Sequence, residues 1–372
     1  MKITKLEVVH VKPRYSFLKV HTDDGIVGLG EACLEGRAKV VEMAIKEFEY
    51  LLIGQDPREI EHLWNLMYRG TFYRGGAILC SAISAVDQAL WDILGKSLNV
   101  PVYTLLGGKV RDKIRVYQHV HGDDLEEFKK NAREAVEEGY TMIKTAVHEK
   151  AQHLETSAYI NRQVERMSIL RDIIGPDRDF GIDFHGRVSP ALAIQLAKEF
   201  EPFKPLFIEE PCLPENVDTM VTIARSTSLP IATGERLYTR WGFREVLEKQ
   251  AASVLQPDLA HCGGITEAKK IAAMGEVYYA GFAPHNPLGP INLAASIQLD
   301  ATVQNFVAQE QITLGEGLIK QPFVMKDGYI DLPKAPGLGI ELDEEAFASD
   351  IYEGDWRLPH WFHEKDNSLA EW

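Results

Sequence analysis

Cysteine is scarce in this chain. There are four, Cys33, Cys80, Cys212 and Cys262, and no two of them form a C-x-x-C pair. That argues against a disulfide framework or a zinc site and fits reduced thiols in the cytosol. Surplus positive charge is also missing, since the formal net charge is −15. A chain this acidic is not built to wrap a nucleic acid or to coat an anionic membrane. A small anionic substrate stays open, because a bound cation reverses the local field. The N-terminus, MKITKLEVVHVK, has neither the apolar core of a signal peptide nor a run of about 20 apolar residues. There is no low-complexity tract and no second copy of either half. The expectation is a soluble, cytoplasmic protein with no nucleic-acid and no membrane partner.

What is present is ordinary for an enzyme. The 372 residues are 45% hydrophobic and 26% charged, enough for two domains or one large barrel with additions. The start reads as strands, with MKITKLEVVHV and FLKVHTDDGIVGLGEA alternating and DDG marking a hairpin. Helical spacing follows in AKVVEMAIKEFEYLL and REIEHLWNLMYRG, and ILCSAISAVDQALWDILGKSLN is apolar around most of its surface. This predicts an α+β capping domain over residues 1–113.

From about residue 114 the rhythm changes. Eight short apolar runs, IRVYQHV, TMIKTAV, DFGIDFH, PLFIEEP, LPIATGE, ASVLQPDLA, YYAGFAPH and NFVAQE, alternate with helical stretches such as DLEEFKKNAREAVEEG, SPALAIQLAKEFEPF and ITEAKKIAAMG. Eight alternating units predict a TIM-type α/β barrel over 114–325. The loop HEKAQHLETSAYINRQ and an aromatic final segment over 326–372 complete the chain.

Polar residues end six of the runs: Asp183, Glu209, Glu235, Asp258, His285 and Glu310. They recur 23 to 27 residues apart, about one β-plus-α unit each. In a barrel those strand ends share one mouth, where active sites are built. A lone acid there is usually a helix cap, but capping does not demand an ionisable group at all six ends. Three bare carboxylates on neighbouring strands repel one another, and a hard divalent cation removes the repulsion. All-oxygen ligands favour Mg²⁺ or Mn²⁺ over zinc.

The stretch GIDFHGR places His185 two residues after Asp183, on the same face of an extended chain. His285 lies roughly across the barrel, with Asp258 on the preceding strand to hold its ring. An imidazole on each side of a bound acid suits abstraction of a proton beside a carboxylate. The same arrangement suits a racemase. Lys144 and Glu310, the latter if protonated, could contact the substrate carboxylate. Arg236 could orient a carboxylate by bidentate pairing.

Taken together, YRGG (73–76), ALWDILGK (89–96), DFHGR (183–187), PLFIEEP (205–211), GER (234–236), LQPDLAHCGGITE (255–267), APHNPLGPI (283–291), QEQ (309–311) and DNSLAEW (366–372) resemble the enolase superfamily, in its mandelate-racemase-like subgroup. Within it the likeness is to the branch that dehydrates galactonate. The resemblance covers nearly the whole chain. It implies a modified (β/α)7β barrel under an α+β cap, with the carboxy-terminal segment returning to the cap. It implies one Mg²⁺ per subunit on Asp183, Glu209 and Glu235. It implies His285, paired with Asp258, as the base at C2, and His185 as the acid that protonates the leaving 3-hydroxyl. Glu310 would contact the substrate carboxylate, and the product would be a 2-keto-3-deoxy sugar acid. The subgroup also suggests a homo-oligomer.

Two departures stand out. Racemases of the subgroup resemble Lys-x-Lys on the second barrel strand, and the galactonate branch resembles Lys-x-Asn. Here the run is Lys144-Thr145-Ala146, so neither second residue is present. The alternatives are dehydration of another aldonate or an aldarate, an acid-sugar racemase or epimerase, or a catalytically silent sensor or scaffold. YRGG reads more simply as a turn than as a substrate contact. His119 and His121 reach either the mouth or solvent, His261 sits behind Asp258 or starts a helix, and Gly263-Gly264 makes a tight turn more readily than an anion site. The Trp-rich tail covers the cap or lies in an oligomer interface.

Overall fold

The computed structural model describes residues 1–371. It opens with a meander. β1 (Ile3–Val11), β2 (Tyr15–Thr22) and β3 (Val27–Glu31) pair antiparallel in that order. The DDG turn closes between β2 and β3 because Gly25 takes φ +79°, which glycine adopts without steric cost. Helices α1 (Ala38–Glu47), α2 (Glu49–Leu52) and α4 (Ala77–Leu98) pack on the sheet, and α3 (Ile60–Arg69) packs on α4. Leu18, Val20, Val41, Leu63, Ile83 and Leu90 share their core.

α4 is long and apolar enough to cross a membrane, but most of it is buried inside the protein. It is apolar all round because β3 covers one side and a barrel helix the other. The β3 contact is unusually close. A β-carbon on Gly30 would stand 1.9 Å from the Ala85 carbonyl oxygen, and one on Gly28 would stand 2.2 Å from that of Ala89. The VGLGE alternation therefore presents bare backbone to the helix.

After the short helix α5 (Val102–Leu105) come β4 (Lys113–His119), β5 (Met142–Ala146), β6 (Asp179–Asp183), β7 (Phe207–Glu209), β8 (Ile231–Thr233), β9 (Val254–Leu255), β10 (Gly281–Phe282) and β11 (Gln309–Glu310). β4 to β10 pair in parallel, each with the next. β11 pairs with β4, and a Phe282–Phe306 bridge closes the ring. Each of the eight apolar runs supplies one strand of the barrel. The intervening helices are α6 (Leu125–Glu137), α7 (Ser157–Ile174), α8 (Pro190–Phe200), α9 (Val217–Ala224), α10 (Thr239–Glu248), α11 (Gly264–Val277) and α12 (Pro290–Asp300).

The stretch read as a loop after β5 holds the start of α7, which Thr156 caps by accepting from the Tyr159 amide. Its buried face includes Gln163 and Arg166 beside Met167, Leu170 and Ile174, so the apolar stripe is broken in sequence. α12 hides for the opposite reason, since every residue of it is buried and no stripe exists.

The final segment divides. β12 (Met325–Lys326) and β13 (Tyr329–Asp331) form a hairpin, and β13 pairs antiparallel with β4. The chain then returns to the cap, where the Lys12 amide donates to Asp350 O at 2.8 Å and the Tyr352 amide to His10 O at 3.1 Å. Beyond that it lies on the barrel mouth instead. Lys150 Nζ, from the loop after β5, donates to Phe362 O at 2.9 Å.

Candidate active site

The C-terminal strand ends meet at the mouth. Asp183 closes β6, Glu209 closes β7, and Glu235 follows β8. One carboxylate oxygen from each lies within 4.8 Å of the others. Lys144, from β5, stands among the acids. Its Nζ is 3.2 Å from Asp183 Oδ2, 2.5 Å from Glu209 Oε1 and 2.6 Å from Glu310 Oε1. Gln256 Nε2 donates to Glu209 Oε2 at 2.7 Å.

So dense a cluster cannot carry a full charge on every acid. Burial, then Asp183, pushes Glu209 well above the carboxylate range. Burial also lifts Glu235 to about 8, with Glu210 and Asp183 adding to it and His285 opposing. Burial opposes ionisation at Asp183 too, but His185 and Lys144 hold it well below its usual range. At Glu310, Lys144, His285 and His119 likewise overcome burial. Asp183 Oδ2 and Glu235 Oε2 are buried and accept no hydrogen bond, although Lys144 and His285 stand 3.2 Å and 3.3 Å away. An all-oxygen set with two unclaimed oxygens and suppressed ionisation fits a hard divalent cation.

His285 follows β10 and bridges to Asp258 in the β sense. Its Nδ1 lies 2.8 Å from Asp258 Oδ2, which leaves Nε2 facing the acids, 3.3 Å from Glu235 Oε2. Asp258 is fixed in turn, with Oδ1 accepting from the Ala260 amide at 2.7 Å and from Asn292 Nδ2 at 3.1 Å. Burial alone would lower the His285 pKa, but Glu235, Glu310 and the Asp258 hydrogen bond hold it well above the ordinary imidazole value.

His185 reaches the mouth by a different route from strand alternation. β6 ends at Asp183, and His185 and Gly186 turn left-handed at φ 51° and 64°. Asp183 Oδ1 accepts the His185 amide at 2.7 Å and fixes the turn. The ring comes back to the acid, with Nε2 3.3 Å from Asp183 Oδ2. Burial, then Arg187, Lys144 and His285, bring its pKa down to about 4 against the pull of Asp183. The two imidazoles thus stand at opposite ends of the triad, one beside Asp183 and one beside Glu235.

These groups open onto a cavity of about 550 Å³. Its walls include Arg14 and Glu35 from the cap, His119 and His121 after β4, Arg166 from α7, and Trp361 from the tail. Arg14 pairs with Glu35 and also donates to Pro287 O at 2.8 Å, which ties the cap to the barrel mouth. A neighbouring cavity of about 640 Å³, near Ser189, Leu213 and Leu369, holds none of the acids of the triad.

Two expectations, for Arg236 and Glu310, are corrected here. Arg236 does not line the cavity. Its Nη2 and Nε lie 2.5 Å and 2.9 Å from Glu210 Oε2, because that fully buried acid needs a counter-ion. Glu310 lines the cavity, but it is ionised rather than protonated. Its Oε1 accepts from His119 Nε2 and from Lys144, both at 2.6 Å, and its Oε2 from the Asn286 amide at 2.8 Å. The YRGG loop lies outside the cavity, with Phe72 and Tyr73 exposed to solvent. His261 bonds Ser81 Oγ at 2.8 Å behind Asp258. Gly264 sits where a β-carbon would strike Asp87, so the glycine pair serves close packing. Arg14, Glu35, Arg166 and Trp361 left no local signal, since each reaches the site from a different part of the chain.

Residues 5–107 match the mandelate racemase / muconate lactonizing enzyme N-terminal domain, and residues 127–346 match the enolase C-terminal domain-like family. The chain belongs to the enolase superfamily. It is 47% identical to the D-galactonate dehydratase of Variovorax paradoxus (strain S110), with all of both chains covered. It is 48% identical to that of Cronobacter sakazakii (strain ATCC BAA-894), again with full coverage. Among solved structures, a putative galactarate dehydratase from Agrobacterium radiobacter, bound to Na and L-malate, matches all of the chain and is itself fully covered. Its TM-score is 0.93 at 33% identity. Relatedness of this extent makes the chain a hydro-lyase, a dehydratase of sugar acids.

Proposed function

We propose that the chain converts D-galactonate to 2-keto-3-deoxygalactonate, with Mg²⁺ as its one metal per subunit. The observation that carries this is the carboxylate triad with an imidazole at each end. Asp183, Glu209 and Glu235 would hold the ion, which would bind the substrate carboxylate and stabilise negative charge there. His285 Nε2 takes the C2 proton, and the C2–H electron pair moves into the carboxylate. Asp258 holds the ring in the required tautomer and stabilises the imidazolium. The pair then returns to form the C2–C3 double bond and expels the 3-hydroxyl, to which His185 gives a proton, so water leaves. The resulting enol rearranges to the 2-keto acid.

Lys144 neutralises charge at the carboxylate end and is held there by Glu310. A cation held by Glu235 would weaken that acid's hold on protonated His285 and so would free the ring to act as a base. Ala146 leaves the second barrel strand without the second lysine of a racemase, which supports elimination over racemisation. Aldarate dehydration is the second reading, supported by the Agrobacterium relative. We place the enzyme in the cytoplasm, where four buried, free cysteines remain reduced, and as a homo-oligomer acting on a small acid sugar alone.

The test is incubation with an acid-sugar panel and Mg²⁺ in deuterated water. A dehydratase gives the 2-keto-3-deoxy acid, a racemase gives deuterium at C2 without it, and a scaffold gives neither. His285→Asn is expected to abolish both product and exchange, and full turnover by this variant would refute the base assignment. His185→Asn is expected to keep exchange at C2 while losing elimination.

A further inference from the structure

A buried chain of side-chain amides joins the cap to the pair formed by His285 and Asp258. Gln88 lies on α4 and Asn292 in the first turn of α12, and both are fully buried. Neither lines the cavity. A buried amide has to satisfy both of its ends, so its neighbours dictate which way it points. Gln88 Oε1 accepts the Glu31 amide at 2.8 Å, and Gln88 Nε2 donates to Leu259 O at 3.1 Å. A backbone N–H only donates and a backbone carbonyl only accepts, so these two bonds leave Gln88 a single orientation. Its Nε2 therefore meets Asn292 as a donor, and Asn292 Oδ1 accepts at 2.9 Å. Asn292 must then turn Nδ2 the other way. Its two N–H groups go to Asp258 Oδ1 at 3.1 Å and to Asn286 Oδ1 at 2.9 Å. A flipped Asn292 would set its oxygen against both of those oxygens.

The backbone of Asn292 is held from the cap as well. Glu31, which ends β3, accepts the Gly289 amide on Oε1 and the Asn292 amide on Oε2, both at 2.9 Å. The consequence falls on Asp258. With the Ala260 amide and Asn292 both on Oδ1, its carboxylate does not rotate without losing two bonds. Oδ2 is thereby aimed at His285 Nδ1, 2.8 Å away. A carboxylate at that place makes Nδ1 the donor and leaves the lone pair on Nε2. Asn292 is neutral, so it orients Asp258 without drawing its charge away from the imidazole.

We propose that Asn292 is a positioning residue for proton abstraction at C2, acting through Asp258, and that Gln88 of the cap sets its orientation. This rests on the reading of His285 as the base of a dehydratase. The cap then does more than cover the mouth, since its backbone fixes which nitrogen of the base is free.

The test is Asn292→Leu, which keeps the volume and removes all three side-chain bonds. With galactonate as the probe, kcat is expected to fall at least tenfold, while KM and the Mg²⁺ midpoint stay within twofold. Galactonate deuterated at C2 is expected to show a larger isotope effect on kcat than with the unaltered enzyme, because proton transfer becomes the slow step. In an Asp258→Asn background the same change is expected to cost less than twofold more, since its route to the base is already broken. Gln88→Met is expected to repeat the pattern with at least a threefold fall in kcat. A tenfold loss that persists in the Asp258→Asn background overturns the proposal, as does a loss carried by KM alone or an unchanged kcat. Should Asn292→Leu not fold, Gln88→Met, alone and with Asp258→Asn, decides by the same criteria. Crystal structures of the variants need no turnover. They are expected to show Asp258 rotated and its bond to His285 Nδ1 lost, and an unmoved pair overturns the proposal. If the unaltered enzyme makes no keto acid from galactonate, the reading of that reaction fails, and the crystal structures alone judge the positioning role.

Discussion

Asp258 is where one side chain sets the chemistry of another. Its Oδ2 holds His285 Nδ1 at 2.8 Å, and its charge is one of the influences keeping that imidazole's pKa high. Asp258→Asn removes the charge and keeps the shape. A base works only when unprotonated, so activity is present above its pKa and lost below it. Lowering the His285 pKa moves that loss to lower pH. The expected outcome is an acidic limb of kcat/KM shifted acidward, with kcat reduced by about 10²-fold or more as orientation is lost. A pH–rate profile of the variant checks both. A limb that stays in place would separate Asp258 from the titrating group.

At the scale of elements, the seam between α4 and α11 carries a buried acid. Asp87 Oδ2 accepts the Thr266 amide at 3.0 Å, while Oδ1 has no partner. Burial raises its pKa to about 7. The unfolded carboxyl titrates near 4, so the folded chain binds more protons between pH about 4 and 7. Stability from this group is therefore full below that window and lost as pH rises through it, by on the order of 4 kcal/mol at most. Thermal melts between pH 5 and 8 are expected to fall with pH, and Asp87→Asn is expected to flatten that fall. An unchanged slope in the variant would assign the dependence elsewhere.

Across the whole molecule, the acid triad is a store of unfavourable charge that the proposed cation would relieve. Asp183, Glu209 and Glu235 come from three strands whose positions depend on the closed barrel, so the unfolded chain has no such site. Mg²⁺ is expected to raise Tm, with about 2.7 kcal/mol of stabilisation at a hundred times Kd, and EDTA to reverse it. Glu209→Gln removes one ligand charge. It is expected to weaken the Mg²⁺ response at least tenfold in midpoint concentration while leaving the metal-free fold intact, as calorimetric titration and melts will show. Metal-independent turnover would contradict the placement of the ion.

The sequence by itself determined the eight barrel strands and the ring of ionisable residues at their ends. Hydrophobic runs and their spacing are local properties, and a parallel barrel carries every strand end to the same mouth. It also supplied Asp183, Glu209, Glu235, Asp258 and His285, because each follows directly from its strand. Only the tertiary structure decided the rest. Arg236 and Glu210 form a pair through burial that no spacing announces. His185 needs a left-handed turn that strand alternation does not foresee. Arg166 interrupts the stripe of α7 because it lines the cavity, and Gln163 does so because its amide bonds the His148 backbone. Arg14 and Trp361 arrive from opposite ends of the chain, and proximity of that kind is a product of packing, which a linear pattern of residues does not encode.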